Sequence, residues 1–171
     1  MQLNYTYMEA LGQAWPNVQA HCMGDGSVYE DITRVAGDPL PTKAELDAWI
    51  AADVKIDMWK LIQAERDRRK SAGLLIGTKW FHSDDTSRIQ YLGLVLMGAG
   101  MPAGIMWKTM DGSFVEMTPT LAGQIFQAMG AKDIAIFTVA EQRKALMLAS
   151  PNPATYNYLT GSPAWSTVFG E

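Results

Sequence analysis

Cysteine is almost missing from this chain. Cys22 is the single thiol in 171 residues, so no disulfide can form within it, and its synthesis is expected in a reducing cytoplasm. Histidine is scarce as well, with only His21 and His82, whereas a zinc site takes three or four strong ligands. His21 and Cys22 are neighbours on an alternating stretch, and neighbours on a strand point to opposite faces. Positive charge is thin: the formal net charge is −4, and binding a phosphate backbone needs clustered Lys and Arg, so nucleic acid is not an expected partner. The one basic cluster, Arg66 to Lys70, is interrupted by Asp67 and follows Glu65, the pattern of a solvated helix face.

Long apolar runs are lacking too. The greasiest segment, Tyr91 to Met106, is broken by four glycines and Pro102, and nothing approaches the run of about 18 apolar residues that spans a bilayer. The N-terminus has no basic region followed by an apolar stretch, so no secretory leader is read there. Gly98-Ala99-Gly100 lacks the Gly-Lys-Ser/Thr of a phosphate loop, and Met101-Pro102 would interrupt the helix such a loop requires. His82-Ser83-Asp84-Asp85 sets an imidazole beside two carboxylates, but the acids are better placed as helix caps and the histidine at a strand end. Cys22 has no third group to orient it as a nucleophile. The expectation is no catalysis, no cofactor and no metal.

What remains is a chain with 48% hydrophobic and only 19% charged residues, the balance of a soluble globular or oligomeric protein with a somewhat greasy surface. Its length suffices for a core of its own. Tyr5 to Trp15 is expected as a short helix with Tyr7, Leu11 and Trp15 on one face, stopped by Pro16. Asn17 to Met23 and Val28 to Val35 are expected as a hairpin turning at Gly24-Asp25-Gly26-Ser27. Gly37-Asp38-Pro39-Leu40-Pro41 marks a boundary that no helix crosses. Thr42 with Glu45 forms a capping box, and nothing breaks the helix from there to about Ala72, a length of about 45 Å. Leu46, Ile50, Val54, Met58, Leu61 and Ile62 make its main stripe, while Trp49, Ile56 and Trp59 extend apolar character around the cylinder. That second stripe either packs on the N-terminal hairpin or meets another chain.

The stretch Leu74 to Thr118 organises the rest. It is expected as a strand (Leu74 to His82), a helix (Ser87 to about Gly98, with Ile89, Leu92, Val95 and Leu96 facing the core) and a hairpin (Ile105 to Met117) turning through a type I′ Asp111-Gly112. Trp80, Phe81, Trp107 and Phe114 would cover one face of a small sheet; Trp80 and Trp107 are also candidates for stacking on a sugar. Leu121 to Ala149 is expected as two helices divided near Gly130 and Asp133. Pro151 to Glu171 is an aperiodic arm bearing Tyr156, Tyr158, Trp165 and Phe169, expected to dock on this subunit or a neighbour. The fold class is α+β. The organisation is an N-terminal helix and hairpin (1–38), a Pro-rich boundary with a long connecting helix (39–72), a small domain with an antiparallel sheet packed on helices (73–150) and an extended C-terminal arm (151–171).

The run Ala64-Glu65-Arg66-Asp67-Arg68-Arg69-Lys70, then Gly77-Thr78-Lys79-Trp80-Phe81-His82-Ser83-Asp84, Arg88-Ile89-Gln90-Tyr91-Leu92-Gly93 and Trp107-Lys108-Thr109-Met110-Asp111-Gly112 resembles a small domain of undefined biochemical function found in tail-fibre-region proteins of tailed bacteriophages and prophages. The resemblance covers about Leu61 to Ser150. Trp15-Pro16-Asn17-Val18, Gly24-Asp25-Gly26 and Pro41 to Leu46 are similar to an N-terminal piece of small phage tail proteins. The resemblance implies a structural component of a phage tail, an adaptor at the fibre or baseplate, present in the virion and made in the host cytoplasm. It equally admits a tail-fibre assembly chaperone that leaves before the particle is complete. Either role implies a fibre or baseplate protein as partner and a homo- or hetero-oligomer. The contact residues to expect are Trp49, Ile56 and Trp59 on the long helix and Tyr158, Trp165 and Phe169 on the arm, which would hold partners by apolar burial at about 25 cal/mol per Å² before ordering costs.

Overall fold

The computed structural model describes Leu3 and residues 5–171. The chain is mixed helix and sheet, with four α-helices and three two-stranded antiparallel sheets. In order these are α1 (Tyr7–Ala14), β1 (Val18–Cys22), β2 (Ile32–Gly37), α2 (Lys43–Ser71), β3 (Leu74–Ile76), β4 (Lys79–Phe81), α3 (Asp85–Met97), β5 (Met106–Lys108), β6 (Phe114–Glu116) and α4 (Pro119–Ala149). Two compact units share them: Met1–Leu61 with Ala145–Asn157, and Ile62–Lys144 with Tyr158–Glu171.

In the first unit, Thr6 and Glu9 form a capping box that starts α1 at Tyr7, just past the expected Tyr5. Strands β1 and β2 pair from Val18↔Gly37 to Cys22↔Ile32. Gly37 ends β2 opposite Val18 at φ 81°, and a Cβ there would stand 1.8 Å from the Asn17 carbonyl oxygen, so only glycine fits. Ala10, Leu11, Ile32 and Leu46 are the buried centre, with Trp49 and Ile50 of α2 packed against them. Of the two alternatives for the second stripe, Trp49 takes the intramolecular one. Three phenols tie this module to α2 and the segment before it: Tyr5 donates to Asp57, Tyr7 to Asp47 at 2.7 Å and Tyr29 to the Pro41 carbonyl at 2.8 Å. The expected capping box of α2 is present, the Thr42 hydroxyl accepting from the Glu45 N–H at 3.3 Å and the Glu45 carboxylate from the Thr42 N–H at 2.7 Å.

In the second unit, the expected strand Leu74–His82 is instead a hairpin. Leu74 pairs with Phe81 and Ile76 with Lys79, leaving Gly77-Thr78 as a two-residue turn. Gly77 alone takes positive φ, 61°, which is the II′ pattern with glycine first. The β5–β6 hairpin lies where Asp111-Gly112 placed it, but its turn is not type I′: only Gly112 has positive φ, and three residues separate Thr109 from Ser113, which pair through a 2.9 Å backbone bond. Asp111 stays at negative φ because its carboxylate accepts from the Thr109 hydroxyl at 2.6 Å and the Ser113 N–H at 2.9 Å. The four rings do not cover one face of one sheet. Phe81 is buried, Trp107 lies against Tyr91, Trp80 against Phe169, and Phe114 faces solvent.

Two further expectations are corrected. Residues 119–149 form one helix, not two: Gly130 sits among good helix formers, where it costs about 1 kcal/mol, and Asp133 is engaged as an ion-pair partner of Arg88 instead of a cap. Helix α3 is also rotated from its expected face. Tyr91 and Val95 turn inward, while Ile89, Leu92 and Leu96 are exposed. Polar anchors set this rotation. Arg88 donates to the Ser83 carbonyl at 2.7 Å, to both Asp133 oxygens at 2.7 and 2.9 Å, and to the Lys70 carbonyl at 3.2 Å. Three residues on, the Tyr91 hydroxyl accepts from the Trp107 indole at 3.0 Å, and burial pushes its pKa up to about 12.

Arg88→Ala is expected to cost about 2–3 kcal/mol, because it strips Asp133 and the Ser83 carbonyl of a shared donor. Thr42→Ala, at an exposed cap, should cost about 1 kcal/mol. Urea unfolding of both variants checks the order; a smaller loss at Arg88 would make the clamp dispensable.

Candidate functional site

The motif-bearing charges of α2 are a solvated face only in part, with Asp67 and Arg68 exposed but their neighbours Glu65 and Arg69 covered. Glu65 and Arg69 are 7% and 8% exposed, because their spacing continues the buried positions Met58 and Ile62 along the helix. Glu65 accepts from both Arg68 and Arg69. Arg69 in turn donates to the Ser166 carbonyl at 2.8 Å and to the Glu171 carboxylate at 2.9 and 3.0 Å, which fastens the end of the arm. Farther up the arm, Arg143 donates to the carbonyls of Thr160, Gly161 and Pro163 at 2.7–3.1 Å. Trp165 is buried between these two guanidiniums, 5.8 Å and 5.3 Å from its ring centre. The arm therefore docks on its own subunit.

Of the expected contact residues, Ile56 and Phe169 are exposed, Trp49, Trp59 and Tyr158 are half-buried, and Trp165 is buried. Tyr158 and Trp165 are brought together, the indole N–H donating to the Tyr158 carbonyl at 2.8 Å. Phe169 meets Trp80 edge-on at 6.0 Å, and its N–H donates to the Ala72 carbonyl. Trp107 is tilted on Tyr91 at 5.0 Å, so Trp80 and Trp107 each meet a different ring of the chain, Trp80 the exposed Phe169 and Trp107 the buried Tyr91.

Further polar side chains of this unit are committed to neighbours. The Ser83 hydroxyl accepts from the Gly73 N–H and donates to the Lys70 carbonyl. Asp84 caps α3 through Ser87, which holds its carboxyl below the usual range. Lys132 donates to the Gly73 carbonyl, and burial with Arg88 nearby lowers its pKa. His82 and His21 are exposed, and Cys22 is half-buried. Among the described residues, no group of three or more His, Cys, Asp or Glu is placed to hold a metal, and no helix is long and apolar enough to cross a membrane.

Two features can receive a ligand or partner. One is a cleft of about 320 Å³ in the first unit, lined by Ala51, Val54 and Lys55 of α2 and by residues 150–154, at the small end for a ligand site. The other is the outward face of α3, where Ile89 is 71% and Leu96 78% exposed beside Leu92 and Met97. The periodicity of α3 allowed more than one inward face, so these residues were not recognisable as surface. Arg143 was missed as well, since between Gln142 and Lys144 it has the look of a solvated residue.

Glu65 ionises below its usual 4.5 chiefly because the Arg68 guanidinium bonds to it; burial acts in the opposite direction and Arg69 adds to the lowering. A carboxylate with a depressed folded value lends stability that is complete above its unfolded value and lost as pH falls through the folded one. Glu65→Gln is therefore expected to lower stability at neutral pH and to flatten the decline on acidification below about 4.5, read from urea midpoints. Parallel acid limbs in wild type and variant would assign the acid sensitivity to other carboxylates.

A family model described as Domain of unknown function (DUF4376) matches residues 41–160. That span runs from the start of α2 to the Thr160 carbonyl that Arg143 holds. No curated protein and no solved structure matches the chain. With the family model covering well over half of its residues, the chain belongs to the family Domain of unknown function (DUF4376).

Proposed function

We propose that this protein is a structural component of a bacteriophage tail, an adaptor at the fibre or baseplate that works by subunit contact and without catalysis. One observation carries the contact role: Glu65, Arg69, Ser83 and Arg88 of the second unit's motifs are spent on internal bonds, while apolar side chains of α3 stand in solvent. A surface of this kind gains free energy by burial against another surface. The tail itself is supported by the likeness of the Glu65–Lys70, Gly77–Asp84, Arg88–Gly93 and Trp107–Gly112 motifs to tail-fibre-region proteins. Its partner on this reading is a fibre or baseplate protein, and its place is the virion, reached after synthesis in the host cytoplasm.

Mass spectrometry of purified phage particles, with copy number referred to the major tail proteins, tests this role. A fixed small multiple in the particle is the expected result. Absence from particles together with abundance in the infected-cell lysate would replace the adaptor by a tail-fibre assembly chaperone.

A further inference from the structure

From Ile89 to Trp107 the chain carries no charged residue: Arg88 precedes the stretch and Lys108 follows it. The structure places much of this stretch outside. On α3, Ile89, Leu92, Gly93, Leu96 and Met97 are exposed, and beyond the helix so are Ala99, Gly100, Pro102, Ala103 and Gly104. Ile89, Leu92 and Leu96 stand at i, i+3 and i+7, one face of the helix and the spacing of a helix–helix seam. At Gly93, beside them, an added Cβ would meet nothing within 4 Å, so a second backbone can come close.

We propose that the outward face of α3 is a self-association surface, occupied by α3 of a second copy of this chain. The size of the surface supports this. Its large side chains leave on the order of 400 Å² in water, a size at which the largest apolar patch of a chain is often functional. The uncharged residues 98–104 extend it toward the roughly 800 Å² that each partner gives to a standard interface. Charge chooses the occupant. A partner bearing charged groups would lose their hydration against this face without compensation, whereas Ile89, Leu92, Leu96 and Met97 bring none and the charge of Asp85 at the start of the helix is met by Lys70 at 3.6 Å. Two copies related by a two-fold axis present the same uncharged seam to each other, which makes an isologous contact self-complementary. A lipid surface is disfavoured because the stretch itself carries no Lys or Arg for a polar face, Arg88 before it is bonded to Asp133, and the whole chain is at −4. The proposal goes beyond the tail reading and stands without it, since it concerns the purified chain alone.

Size-exclusion chromatography with light scattering on the full chain tests it. The wild type is expected at twice 18.8 kDa, and Leu96→Glu at the monomer mass with an unchanged far-UV spectrum, its association weakened by about tenfold or more. Ile134→Glu, a change at an equally exposed apolar position on α4, should remain dimeric. If Leu96→Glu does not fold, Leu96→Cys in a Cys22→Ser background decides the matter: a short bismaleimide should link two chains through position 96. A wild-type monomer overturns the proposal; binding of that monomer to phosphatidylcholine vesicles would give the face to lipid, and no binding would give it to a different protein. A dimer that survives Leu96→Glu, or that Ile134→Glu dissolves equally, also overturns the assignment to α3.

Discussion

The carbonyl groups at the C-terminal end of α2 are the constraint on which the second unit depends. A helix leaves its last carbonyls without intrahelical partners, and burying them unpaired would cost free energy comparable to lost hydrogen bonds. Here the Lys70 carbonyl takes the Ser83 hydroxyl and Arg88, the Ala72 carbonyl takes the Phe169 N–H, and the Gly73 carbonyl takes Lys132. The donors come from the loop before α3, from α3, from the arm and from α4. Satisfying one helix end thus positions four separate segments, and cations at a helix C-terminus also meet the negative end of its dipole. Gly73 belongs to the same solution: at φ 96° it lets the chain turn away, and a Cβ there would stand 2.6 Å from the Met110 sulfur.

Arg88 carries the consequence outward. Once its guanidinium is committed to Lys70, Ser83 and Asp133, the rotation of α3 is set, Tyr91 goes inside and Ile89, Leu92 and Leu96 go outside. Polar residues within the span that the family model matches, Glu65, Arg69, Ser83 and Arg88, are among those that hold the fold of this unit. The apolar residues left outside are the observation on which the proposed contact role rests.

Signals confined to one or two turns of chain were legible in the sequence. The Thr42–Glu45 capping box, a cap at Asp84 or Asp85, which the structure assigns to Asp84, and the position of the Asp111-Gly112 turn depend on side chains reaching backbone within three residues, and each is present. The arm's aromatics announced that it would not be free, and Trp165 and Val168 are buried. Features that need a distant partner were not legible. Nothing local tells that Glu65 and Arg69 would be covered by an arm about a hundred residues away, that Asp133 would serve Arg88 instead of capping a helix, or that Arg143 would clamp three carbonyls.

The sequence by itself determined that this is a mixed α+β chain with a long capped helix, glycine-closed hairpins and an ordered aromatic arm, because caps, turns and periodicity are local physics. Only the tertiary structure decided which face of α3 meets solvent. An amphipathic pattern fixes that a helix has an apolar side but not how it turns when two apolar sides compete, and that choice belonged to Arg88 and Tyr91, whose partners Asp133 and Trp107 come from elsewhere in the chain.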